Sequence, residues 1–372
     1  MKVPVNEPVI SEEAKKNIYE AVETGWISSA GKFVEEFEKK FADYLDIKHA
    51  ITTNNGTTAL HTALLSLDIK KGDEVIVPAF TMISSIFSII YTGAKPVFVD
   101  CELETYNIDP TKIEEKITRN TKAIMPVHIY GHSCDMDPIL KIAKKHNLFV
   151  IEDAAEVHGG EYKDKKCGTM GDIACFSFYG NKIITTGEGG MVVTNDDKLA
   201  DKARRIKDLY HSEKKRFIHE DIGYNYRMTN MQAAIGCGEL RHIDEYIDKK
   251  NWMANLYAKK LKQIKGIKLP ITKPEVKNVY WMYSILIDKK KFGTNRDNLR
   301  KKLKDVGVDT RDFFYSPTDQ PLLKKMFKNF GKFPNTDYIA NRGLYLPSGL
   351  AITEEQINYA CQQIKAIQDS LI

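Results

Sequence analysis

The chain has 372 residues, 42% of them apolar, and a formal net charge of +5. That length exceeds one ordinary domain, and the apolar share supplies a sizeable core and excludes a disordered chain. Lysines are spread through runs such as KIAKKHN (141–147) and KKNWMANLYAKKLKQIK (249–265). They read as solvated helix faces, because a nucleic-acid surface needs clustered cations with interleaved aromatics.

From about residue 47 to 195, short apolar runs alternate with amphipathic helices. HAITT (49–53) precedes a helix over 57–67, EVIVPA (74–79) precedes a helix from about Met82, and PVFVD (96–100) follows. AIMPVHI (123–129), a helix over 138–147, FVIED (149–153), ACFSF (174–178) and GMVVTN (190–195) complete the series. Apolar strands separated by helices predict an α/β fold with a mainly parallel sheet covered on both faces. Ligands of such sheets bind beyond the carboxyl ends of the strands, where Thr81, Asp153 and Ser177 fall. The stretch 210–230 is long and loop-like, a length that marks function or an interface. After about 245 the pattern changes to a long helix (245–264), WMYSILI (281–287), a helix (295–306), a polar loop with Pro317 and Pro321, and a last helix (353–370). The expected division is a large domain over 1–245, with its N-terminal segment, and a smaller C-terminal α+β domain over 246–372.

The six cysteines form no CxxC pair and read as reduced thiols. The opening MKVPVNEPVI lacks the features of a secretory signal, and the most apolar window, ISSIFSIIYTGA (83–94), is too short and polar to span a bilayer. The expectation is a cytoplasmic protein with neither a membrane nor a nucleic-acid partner. His128 and His132 stand four apart near Cys134, but on a strand and loop rather than a helix, so no metal site is expected.

The chemistry-bearing residues fall into three groups. Lys182 stands in FSFYGNKIITTGEGG (176–190), between Gly180 and the glycines 187, 189 and 190, where an amine nucleophile can be held at a fixed point. Asp153 ends an apolar strand and is followed by two alanines, which let a flat ring approach a carboxylate that keeps a ring nitrogen charged. A helix N-cap is the alternative role for Asp153, and strand alternation points Glu152 to the opposite face. Gly56, Thr57 and Thr58 open a helix directly after a strand, where backbone N–H groups receive a phosphate, or else form only a capped turn. Ser177 can add a hydroxyl. Together a lysine, a strand-end aspartate and a phosphate-type loop are what pyridoxal phosphate requires of a protein.

NNGTTALH, DEVIVPAFT, TKAIMPVHIYGH, IEDAAE, FSFYGNKIITTGEGGM and GYNYRMTNMQAAIG together resemble the DegT/DnrJ/EryC1/StrS sugar aminotransferases, of pyridoxal-phosphate fold type I. The likeness runs from residue 25 to 353. It implies transfer of an amino group from glutamate to C4 of a nucleotide-linked 4-keto-6-deoxy sugar, foremost GDP-4-keto-6-deoxymannose. A 4- or 3-aminotransferase acting on a dTDP- or UDP-linked keto sugar is the alternative. It further implies a homodimer with shared active sites, serving surface-polysaccharide synthesis. By resemblance Lys182 attaches to the cofactor and shuttles the proton, Asp153 pairs with the pyridine nitrogen, and Glu156 lies near the phenolic oxygen. Gly56, Thr57 and Ser177 hold the phosphate, with Asn225 reaching it from the partner subunit, while Trp26, Ser28, Ser29 and Arg311 serve the sugar side. Met82 occupies the place of an aromatic residue that relatives stack on the cofactor ring. Asp312 and Asn278 replace a proline and a histidine usual in the family. A dehydratase of this fold carries histidine in place of the lysine, and an inert scaffold has no need of the Lys182, Asp153 and Ser177 set.

Overall fold

A computed structural model describes residues 1–371 apart from 213, 216 and 328–330. The first strands are β1 (His49–Thr53), β2 (Glu74–Pro78), β3 (Lys95–Val99), β4 (Thr121–Ile124) and β5 (Phe149–Asp153). They are followed by β6 (Glu161–Tyr162), β7 (Lys165–Lys166), β8 (Ile173–Ser177) and β9 (Gly190–Thr194). A seven-stranded sheet takes the order β1-β9-β8-β5-β4-β2-β3, with β9 antiparallel to both neighbours and the other pairs parallel. The mainly parallel α/β sheet expected from the apolar runs is therefore present.

Helices α1 (Glu12–Glu23), α2 (Lys32–Leu45), α3 (Gly56–Ser66), α4 (Ile83–Tyr91), α5 (Met136–His146), α6 (Asp197–Lys207) and α7 (Asn230–Glu239) surround it. Strand alternation divides the core between the two layers. Val75 and Val77 pack with Leu60, Ile86 and Ile89 of α3 and α4, whereas Ile76 packs with Met136 and Ile139 of α5. On α2, Phe33, Phe37 and Phe41 recur every four residues and bury one stripe. The Phe37 and Phe41 rings meet those of Phe178 and Phe176, each pair 5.0 Å between centroids, and so brace the chain on either side of Ser177.

Helix α8 (Ile243–Leu261) leads to β10 (Ile267–Lys268), β11 (Val276–Lys277), β12 (Tyr283–Ile287), β13 (Arg311–Asp312) and β14 (Gly343–Leu346). Four of these form an antiparallel sheet, β10-β12-β14-β13, while β11 joins β6 and β7. Its core combines Tyr257, Tyr283, Leu299 and Ile364. Val3 shares that core and pairs with Val308, so the first residues of the chain lie against the C-terminal sheet.

Three sequence readings change. AIMPVHI is not one strand: β4 ends at Ile124, Pro126 has no N–H for the ladder, and pairing resumes only at an isolated Val127–Asp153 bridge. The polar loop contains a turn, Pro317–Asp319, and a helix, Pro321–Met326, each begun by a proline in its first helical position. Lys250, read as part of a solvated face, is 2% exposed, because it falls on the stripe Ile247, Lys250, Ala254, Tyr257 that α8 buries. The 210–230 stretch is irregular as expected, with residues 213 and 216 outside the described set. Among the described residues no helix is long and apolar enough to cross a membrane.

Glu152 does point away from Asp153. It is fully buried, within hydrogen-bonding distance of His128 Nε2 (3.0 Å), and accepts from the N–H groups of Gly168, Met170 and Gly171 at 2.8, 2.7 and 2.6 Å. Burial pushes its pKa up, but His128 and these N–H groups reverse that and leave it below the ordinary carboxylate value. Its stabilising contribution is therefore present above the ordinary value and lost as pH falls through the lower folded one. Replacing Glu152 with Ala strands His128 and three donors, at a cost of about 3–5 kcal/mol. Urea unfolding should show that loss at neutral pH, with a smaller gap between variant and wild type as the medium is acidified.

Candidate active site

The segment after β8 folds back on itself before entering β9. Phe178 N–H donates to Gly189 O (2.8 Å), Thr186 N–H and the Thr185 hydroxyl donate to Phe178 O (2.9 and 3.0 Å), and Lys182 N–H donates to Tyr179 O (2.9 Å). The loop is closed by its own main chain, which fixes the root of the Lys182 side chain. A Cβ at Gly190 would lie 2.3 Å from Asn55 O, so only glycine lets β9 run this close to the start of α3.

The ε-amine of Lys182 lies 3.8 Å from the centroid of the Trp281 indole. Lys182 is half-buried. Asp153 and Glu156, 4% and 3% exposed, are the carboxylates whose charge it feels, and it forms no direct ion pair with either. Burial lowers the lysine pKa, and Glu156 and Asp153 offset only part of that. Burial raises both carboxylates; the Lys182 charge and the Tyr130 N–H, which donates to Glu156 at 2.9 Å, pull Glu156 partly back. Asp153 accepts from the Ser85 hydroxyl (2.7 Å) and the Ala155 N–H (3.2 Å), and Thr81 shares a further hydrogen bond with Ser85 (2.9 Å). His158 packs against the rings of Phe176 and Phe178, its pKa lowered to about 3 by burial and then by the lysine charge.

Helix α3 begins at Gly56 beside Ser177. A Cβ on Gly56 would stand 2.7 Å from Ser177 Cβ, so the helix N-terminus and the end of β8 form one cradle. Thr58 is used up internally: it donates to Asn54 Oδ1 (2.7 Å) and completes a capping box with Asn55. The Thr57 hydroxyl has no protein partner among the described residues, and neither has the second hydrogen-bonding capacity of Ser177. This arrangement suits pyridoxal phosphate. Free N–H groups and hydroxyls at a helix start receive a phosphate. A buried carboxylate whose pKa is raised by desolvation gains most from a cation set against it, as a protonated ring nitrogen provides.

Other residues singled out from sequence lie apart from this cluster within one chain. Trp26 and Ser28 are exposed, Ser29 is partly so, and their loop is pinned by Asn230, which bonds to Trp26 O and Ser28 O, both at 2.6 Å. Asn225 is exposed, and its side chain is held by Arg227 (2.9 and 3.1 Å). Met82 is the 46% exposed N-cap of α4. Arg311 is exposed on β13, where it pairs with Tyr345, and the Tyr345 ring touches that of Tyr130, so Arg311 adjoins the cluster from the C-terminal sheet. Asp312 is occupied by Arg300, Arg296 and the Tyr315 hydroxyl, and Asn278 by Thr272 and the Tyr280 N–H. His128 and His132 are buried among protein partners, and no group of metal ligands occurs among the described residues. Sequence reading passed over Ser85, Tyr130, His158 and Trp281. Only Ser85 carried a local signal, a small polar residue on an apolar helix face.

This fold, with a lysine beside two buried carboxylates at the carboxyl edge of the sheet, defines a pyridoxal-phosphate-dependent aminotransferase of fold type I. The chain belongs to the DegT/DnrJ/EryC1/StrS aminotransferase family, whose profile matches residues 8–365. It is 44% identical to the GDP-perosamine synthase of Escherichia coli O157:H7 over 97% of each chain. With the GDP-perosamine synthase of Caulobacter vibrioides it shares 45% identity over 96% of each. Among solved structures, DesV of S. venezuelae superposes with a TM-score of 0.90 at 32% identity, covering 98% of this chain and 99% of that one.

Two substitutions probe the site. Ser85→Ala removes a hydrogen bond that lowers the Asp153 pKa, so that pKa rises and the acid limb of the pH–rate profile should move to higher pH. Gly56→Ala crowds Ser177 and should weaken retention of pyridoxal phosphate about tenfold, read by titrating stripped protein with the cofactor.

Proposed function

We propose that the chain moves the amino group of glutamate to C4 of a nucleotide-linked 4-keto-6-deoxy sugar, converting GDP-4-keto-6-deoxymannose to GDP-perosamine. The identity of 44% and 45% to two GDP-perosamine synthases supports the acceptor. The observation that carries the reaction is the gathering of Lys182, its amine over the Trp281 ring, with the buried carboxylates Asp153 and Glu156 beside the start of α3.

In this reading Gly56, Thr57 and Ser177 hold the phosphate, Asp153 faces the ring nitrogen, Met82 packs on the ring, and Glu156 lies on the phenolic-oxygen side. When bound, pyridoxal phosphate supplies an aldehyde for the amine and a ring that withdraws electrons from the reacting carbon. The free ε-amine of Lys182, rooted in a closed loop, takes the proton from the amino-bearing carbon of glutamate and later returns one to C4 of the sugar. Thr81 and Ser85 keep the Asp153 carboxylate oriented, and Phe176 and Phe178 with His158 keep water from the far side. A homodimer completes the site: Asn225, Trp26, Ser28 and Ser29 are exposed and separate from Lys182 in one chain, as residues offered to a second copy would be. Arg311 approaches the sugar nucleotide from the C-terminal sheet. The two units divide near residue 245, and the enzyme works in the cytoplasm, where nucleotide sugars for surface polysaccharides are made.

Borohydride reduction followed by peptide mapping should place the pyridoxyl label on Lys182. Lys182→Ala should fold normally and lose activity about 10³-fold or more. Incubation with glutamate and a panel of 4-keto and 3-keto nucleotide sugars should aminate GDP-4-keto-6-deoxymannose first. Preference for a dTDP- or UDP-linked acceptor, or for C3, overturns the substrate assignment.

A further inference from the structure

Trp281 enters from the C-terminal unit and touches the lysine loop in two ways. Its indole Nε1 donates to Asn181 O at 2.8 Å, gripping the main chain one residue before Lys182. Its ring face lies 3.8 Å from the Lys182 amine, well inside the range of a cation–π contact, for which indole is the strongest of the aromatic side chains. The ring is 5% exposed, so little water competes for the amine on that side.

The tryptophan is in turn held from behind. Lys250 of α8 donates to Trp281 O at 2.8 Å and also to Ser348 O. Lys250 is buried without a carboxylate partner, and burial alone lowers its pKa to about 7. A buried amine placed on two main-chain carbonyls is a costly device, and what it secures is the position of the Trp281 backbone. On the other flank, the Trp281 ring leans on that of Tyr130, 6.2 Å between centroids, and Tyr130 is the residue whose N–H holds Glu156. Tyr130 adopts φ of +54°, an uncommon backbone state for a residue with a side chain, and the adjacent Gly131 has no room for a Cβ beside Trp281 N, 2.7 Å away. Indole, amine and carboxylate are thus parts of one braced assembly.

We propose that Trp281 is a positioning residue: its indole face seats the ε-amine of Lys182 whenever that amine is free and keeps it within reach of Asp153 and Glu156. The inference rests on reading Lys182 as the reacting amine. A flexible four-carbon chain released into the site needs a defined resting place if it is to meet the reacting carbon repeatedly. A neutral ring provides one without forming the tight ion pair that would hold the proton too firmly.

The groups facing the amine are Asp153 and Glu156, which favour its charged form, His158, which is uncharged at neutral pH, and Trp281. Removing the indole therefore lowers the pH at which Lys182 loses its proton. The test uses full-length protein stripped of cofactor and labelled with an amine-reactive reagent across a pH series, with Lys182 followed by peptide mass spectrometry. Trp281→Phe should shift the labelling midpoint down by about half a unit, and Trp281→Leu by about one unit, with surface lysines unchanged. A merely space-filling tryptophan leaves the midpoint where it is. Should the Leu variant not fold, the Phe variant alone decides, since it keeps a ring in place. A Phe variant with the wild-type midpoint, or a higher one, overturns the proposal. Borohydride trapping of the wild type is read separately: a pyridoxyl label away from Lys182 removes the functional reading while leaving the labelling shift as a fact about the amine.

Discussion

A primary amine held partly away from water is expensive to keep charged, and around Lys182 two buried carboxylates and an aromatic face offset part of that expense. Most of what surrounds the site is arranged to hold this balance. Asp153 and Glu156 are themselves raised by burial, so lysine and carboxylates are each poised away from their ordinary values, and each is sensitive to what binds beside it. Such displaced titration is what proton transfer at neutral pH requires of an amine.

The large sheet provides the balance through geometry alone. Because side chains alternate along β5, Asp153 opens into the site while Glu152 faces the opposite layer, where His128 and three N–H groups absorb its charge. One strand end therefore supplies a reactive carboxylate and a structural one in adjacent residues. The same economy appears at β8, where Phe176 and Phe178 pack into the core and Ser177, between them, faces the start of α3. Ser85 adds what a strand cannot, a hydroxyl aimed at Asp153 from a neighbouring helix.

The segments around the C-terminal sheet do more than build that sheet. Trp281, Tyr345 and Phe313 share a hydrophobic cluster with residues of the large sheet's surroundings, and Tyr130 is in ring contact with all three. The lysine loop comes from one part of the chain and its indole seat from another a hundred residues later. Any shift between the two parts moves the seat relative to the amine, which ties the alignment of the whole molecule to the position of one nitrogen atom.

Much of this was legible in the residues taken in order. HAITT and FVIED match their strands to the residue. Asp153, Ser177 and the start of α3 could be placed from strand ends and a capping pattern, both local features. Where a short-range rule was broken the reading failed: Pro126 cut a strand short, and Lys250 looked solvated because its charge was weighed and its place on the helical stripe was not. Sequence by itself determined the succession of the seven strands of the large sheet, the lysine loop and the carboxylate at the strand end, since each depends on neighbours within a few positions. Only the tertiary structure decided that Trp281, Lys250, Tyr130 and Ser85 converge on that amine and its carboxylates, because contacts between distant segments depend on packing, and packing leaves no period in the chain.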